Sequence, residues 1–181
     1  SQALLAAPVL PAGSDWVGAD LSGKNLDGIN LAGVFLDGAN FSGASMVGAN
    51  LSDATFARAN LSNVDLSKAN MAGANLGRAN FTSAKLDGAN LTKAVLDYAV
   101  LQDVSLVGAV LEKATLIGVH LRGVDLSGSN MNECKFIGLK TEAGPEVIDE
   151  IASGMPSLDS QIEPIDFGQV DATGVSLHRG L

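Results

Sequence analysis

From Leu21 to Phe136 every fifth residue is Leu, Phe or Met, for 24 consecutive pentads without a slip of register. Seventeen of these centres are Leu, four Phe and three Met; the position two before each holds 15 Ala and five Val, with Lys24, Ile29, Ser129 and Cys134 as the remainder. A period-two strand would send successive centres to opposite faces, and a 3.6-residue helix would smear them around its circumference. A short fixed period instead marks a solenoid, whose units bury their apolar side only by stacking on their neighbours. The alternation of one large and one small residue sets a constant internal volume.

The repeat appears as Gly-Ala-Asn-Leu-Ser at 48–52, Arg-Ala-Asn-Leu-Ser at 58–62 and Gly-Ala-Asn-Leu-Thr at 88–92. It resembles the pentapeptide-repeat family, whose consensus is A(D/N)LXX. The resemblance implies an all-β fold, a right-handed, four-sided parallel β-helix of about six to seven coils, with one pentad per side and residues 20 apart stacked at about 4.8 Å. Leu36, Phe56, Leu76, Leu96, Leu116 and Phe136 then form one interior column. Trp16, in frame at its start, either covers the open end or is an exposed contact. The implied plan is an N-terminal cap over 1–15, a β-helix over 16–138, an acidic, partly helical insertion over 139–164 and a resumed coil over 165–181.

Outward positions have local reasons. Asn or Asp just before a centre, as at Asn40, Asn50, Asp65 and Asn90, can hydrogen-bond nearby backbone. Gly two after a centre frees the corner from any Cβ constraint. By this logic Ala79→Leu should disturb the rod, whereas Asp87→Lys, at an outward position, should hardly matter.

The frame breaks at Gly138. Residues 140–164 carry six acids against one base. Pro145 at a first turn, acids Glu146, Asp149 and Glu150, the stripe Val147, Ile148 and Ile151, and Gly154 as a stop predict one short helix. Three further pentads follow, centred on Phe167, Ala172 and Leu177, in a frame moved by one residue. Residues 139–164 are therefore an insertion, after which the solenoid resumes; the alternative is that everything from 139 is an irregular terminal cap.

Charge and composition exclude several classes. Quinolone-resistance members of the family resemble duplex DNA and occupy the DNA site of gyrase, which would make this chain, net −9, a DNA-mimicking regulator of a type II topoisomerase. That role needs acids along the rod, yet residues 16–138 hold nine Lys or Arg against eleven Asp or Glu, and 139–164 alone carry −5. The negative net charge also argues against nucleic-acid binding. The lone Cys134 and the histidines His120 and His178 form no metal or nucleophile spacing. No enzyme and no cofactor is expected. No apolar run reaches the roughly 18 residues of a transmembrane span, and the opening residues, without a charged leader, read as an apolar cap.

A rigid surface for a macromolecular partner remains. Outward Val95, Tyr98, Val100, Val107, Val110 and Ile117 replace the polar residues of earlier pentads, forming a candidate partner or dimer patch. Cover by the inserted segment, a homodimer contact and a protein partner of unknown identity all fit it. The reading is a non-catalytic protein-binding or scaffolding module within a larger bacterial protein, with a bacterial cytoplasm ahead of secretion or a compartment lumen.

Overall fold

The computed structural model describes residues 11–119 and 121–135, and the backbone of Ser176 and Leu177. Where both partners are described, a residue before a centre pairs in parallel with the residue 20 further on, from Asp15 with Phe35 to Thr115 with Lys135. A 20-residue period over five-residue units gives four faces. In chain order they are centred on Leu36, Phe41, Met46 and Met71, with their equivalents 20 residues apart.

One pentad shows how the backbone closes. Asn40 donates its N–H to Ala19 O at 2.8 Å in the coil before, while Phe41 and Gly43 donate to Asn60 O and Ser62 O, each at 2.8 Å, in the coil after. Ala44 N–H turns back to Phe41 O at 2.9 Å. The fifth donor, Ser42 N–H, goes to Asn40 Oδ1 at 3.1 Å. Every N–H of the unit is thereby satisfied, which a solvated corner in a buried ladder requires. The Asn before the centre is part of the backbone network, as the sequence suggested.

Among the described residues the corner two residues after each centre is left-handed throughout. Glycine holds it at many positions, and at eleven others a non-glycine residue does, including Arg58 at φ 60°, Arg78 at 58° and Tyr98 at 59°. The fold dictates this conformation, and side chains that dislike it are held in it by the ladders on both sides.

Inside, the centres and small positions form one core. Leu36, Phe56 and Leu76 are fully buried, as are Ala39, Ala74 and Ala79. Phe41 and Phe56 meet with ring centroids 5.6 Å apart at 54°, within the range aromatic pairs favour. Trp16 is partly buried against this core, in keeping with a covering role. Lys24 stands at a small position yet is exposed, whereas Ile29, the next small position, is buried. Phe136, both histidines and the helix expected after Gly138 lie outside the described residues. Two short strands, β1 (Asn130–Met131) and β2 (Ser176–Leu177), pair in parallel, Asn130 with Ser176 and Met131 with Leu177.

Candidate functional site

The backbone claims many of the outward acids. Asp15, Asp20, Asp65 and Asp125 stand before a centre and accept the N–H two residues on, as Asn does elsewhere. A second set works across coils. Where Ser45, Thr55, Ser105 or Thr115 stands before a centre, its hydroxyl does not take that N–H. An aspartate from the preceding coil takes it instead: Asp27 accepts Val47 N–H at 2.9 Å, Asp37 accepts Ala57 N–H at 3.0 Å, Asp87 accepts Val107 N–H at 3.2 Å and Asp97 accepts Ile117 N–H at 3.1 Å. The hydroxyls of Ser45 and Thr55 donate to Asp27 and Asp37, both at 2.5 Å. Asp87 also receives the Ser105 hydroxyl. This overturns the expectation that Asp87→Lys is harmless: the residue is outward, but it is an acceptor for the next coil.

Titration follows the same bonds. Burial would raise the Asp65 carboxyl, but the Ser67 hydroxyl and N–H, with Lys85 nearby, hold it below its ordinary value. The Ser22 hydroxyl and N–H likewise lower exposed Asp20. Burial pushes the Cys134 thiol up to about 12, and its Sγ donates to Leu111 O at 2.7 Å. It packs as a small inward residue rather than a nucleophile. Among the described residues no group of His, Cys, Asp and Glu could hold a metal ion, and no helix is long and apolar enough to cross a membrane.

The six apolar candidates do not share one face. Val95 and Ile117 lie on the Leu36 face, and Tyr98 occupies the corner leading to the Phe41 face, where Val100 follows. These four surround one edge of the rod. Val107 belongs to the Met46 face and Val110 to the Met71 face, around further corners. Tyr98 is 57% exposed, Val100 42% and Val107 39%, whereas Val95, Val110 and Ile117 are half-buried. Sequence reasoning passed over two exposed apolar residues on the Leu36 face, Val17 and Phe35. Sorting outward positions by face, rather than along the chain, would have found them.

Arg58 and Arg78 precede Tyr98 in the same corner column, 20 residues apart. The Arg78 guanidinium carbon stands over the Tyr98 ring, 5.6 Å from its centroid, a cation–π distance. The ring extends over Gly118, where an added Cβ would meet two ring carbons at 2.6 Å. Glycine at 118 is therefore a space requirement as well as a left-handed one.

A family model described as pentapeptide repeats matches in eight copies, spread from residues 12–43 to residues 105–138. Among solved structures the chain is similar to a pentapeptide repeat protein from the Arabidopsis thaliana thylakoid lumen, at 21% identity over 87% of this chain and 90% of that one, with a TM-score of 0.45. It is also similar to HetL, a pentapeptide repeat protein involved in heterocyst differentiation regulation in the cyanobacterium Nostoc sp. strain PCC 7120, at 20% identity over 96% and 91%, with a TM-score of 0.40. QnrB1, a plasmid-mediated fluoroquinolone resistance protein, is 20% identical in a trypsin-treated form, over 88% of this chain and 91% of that one, with a TM-score of 0.36. No curated protein matches the chain.

Proposed function

The chain belongs to the pentapeptide-repeat family, and from that premise we propose that it is a non-catalytic protein-binding or scaffolding module whose working surface is the apolar edge around Tyr98. The observation that carries this reading is the exposure of Tyr98 and Val100, at 57% and 42%, on a rod whose other outward positions are dominated by Asn, Ser, Thr and Asp tied into backbone hydrogen bonds. Side chains without a backbone duty, held rigidly at an edge, are suited to contact. A partner captured by the immobilised full chain should be lost on Val100→Asp; retention of that partner by both Val100→Asp and Tyr98→Asp would remove the surface.

The topoisomerase-regulator alternative is less well supported. Eight aspartates stand where a backbone N–H requires an acceptor, so their placement needs no imitation of DNA. Basic residues interleave with them. Inhibition of gyrase supercoiling by the purified protein at micromolar concentration would revive it.

The division of the chain belongs to the same proposal. Asn130 and its partner Ser176 are 46 positions apart, where the coil repeat needs 20. The surplus of 26 equals the length of 139–164. That agreement supports a single insertion followed by a resumed coil.

A further inference from the structure

We propose that the corner formed by Arg58, Arg78 and Tyr98 docks an acidic segment of a partner protein, its carboxylates on the two guanidiniums and an apolar side chain against Tyr98 and Val100. The inference rests on the binding-module reading and names the chemistry of the partner.

The column itself is the first argument. Gly18, Gly38 and Gly118 hold the same corner in other coils, whereas Arg58, Arg78 and Tyr98 occupy it at φ 60°, 58° and 59°. Left-handed non-glycine runs at coil spacing, about 4.8 Å, occur in other columns too, as at Asn63, Ser83 and Asp103 or Lys93, Lys113 and Glu133; what sets this one apart is its chemistry, two arginines followed by the chain's one tyrosine. All three are exposed. Tyr98 is braced, with Arg78 over its ring and Gly118 beneath, so a partner meets an aromatic surface with little freedom left to lose.

Electrostatics supply the second. Neither Arg58 nor Arg78 enters an ion pair among the described residues; the bridges at Lys113, to Glu112 at 3.4 Å and to Glu133 at 3.8 Å, belong to a different corner. The acids on the adjoining face are already engaged, Asp37 by Ala57 N–H and the Thr55 hydroxyl, Asp97 by Ile117 N–H. Two planar forks one coil apart, without an ion pair among the described residues, match carboxylates, which guanidinium binds in bidentate fashion. Arg and Tyr are the residue types that dominate contact energies.

The apolar flanks decide between polyanions. Val95 and Ile117 on one side and Val100 on the other would lie against phosphates in a nucleic-acid complex, and the net charge of −9 would repel a long polyanion. A short acidic peptide with an apolar centre meets both the charge and the greasy rim.

The test is fluorescence anisotropy of the full chain with a dye-labelled peptide carrying glutamates on both sides of a Leu-Ile-Phe core, beside its glutamine counterpart and a single-stranded DNA oligonucleotide. Binding of the glutamate peptide should weaken about tenfold or more in an Arg58→Glu, Arg78→Glu double variant, in Tyr98→Ala and with the glutamine peptide. Unchanged melting temperatures would show these variants folded. Equal binding of both peptides, indifference to the arginine swap, or no binding at millimolar peptide each overturns the assignment, as does tighter Arg-dependent binding of the oligonucleotide. A tenfold or greater gain on deleting 139–164 would assign the corner to the chain's own acidic stretch instead, and likewise overturn it. Should the peptide fail while Val100→Asp still abolishes capture of a partner, the module reading stands and only this partner chemistry falls.

Discussion

Ala79 is fully buried, with coils stacked above and below, and has no volume to give. Leucine there should cost about 1–3 kcal/mol through overpacking, read as a lower urea midpoint with an unchanged slope. Asp87→Lys should cost about 1 kcal/mol by removing the acceptor of Val107 N–H and of the Ser105 hydroxyl; a midpoint equal to that of the parent would contradict the cross-coil role. The two residues show what the chain discloses by itself. Ala79 was assignable because inward positions recur every five residues and their sizes alternate. Asp87 was not, because its partners stand 18 and 20 residues away and its role depends on a hydroxyl, not an amide, at the paired position. The signal existed: Asp27 and Ser45, Asp37 and Thr55, Asp87 and Ser105, Asp97 and Thr115 are each an aspartate followed 18 residues later by Ser or Thr.

At the level of the pentad, side-chain ladders follow the coils. Asn90 donates to Asn70 Oδ1 at 3.3 Å, and Asn70 to Asn50 Oδ1 at 3.4 Å. The column then meets Val110 before Asn130, and valine offers Glu112 N–H no acceptor. Val110→Asn should therefore raise stability by about 0.5–1 kcal/mol and Asn90→Val should lower it by a similar amount, both measurable by chemical denaturation. Acid tests the same turns. With its folded carboxyl below the unfolded value, Asp65 contributes stability above about pH 4, and that contribution is lost as pH falls through the folded value. Asp65→Asn keeps an oxygen for Ser67 N–H but no longer titrates. Its urea midpoint should fall less than that of the parent between about pH 6 and about pH 3. The existence of these turns was readable from Asn and Gly spacing. The scatter of the apolar candidates over several faces was not, because adjacency along the chain conceals the corner between one pentad and the next.

For the whole rod, the proposed insertion predicts that the acidic stretch is separable. A chain lacking 139–164 should fold, bring its last three pentads into the frame of the first 24, and melt no lower than the parent; loss of a cooperative transition would show the stretch to be structural. The ladder has a further, mechanical consequence. Its inter-coil hydrogen bonds run along the rod axis, so tension applied at the two ends pulls each coil away from the next instead of shearing it. Twenty residues paid out at about 3.3–3.6 Å each, less one coil height, lengthen the chain by roughly 60–67 Å. Stretched in a force spectrometer, the protein should yield as an even staircase of low-force steps of that size, a spool that unwinds one turn at a time.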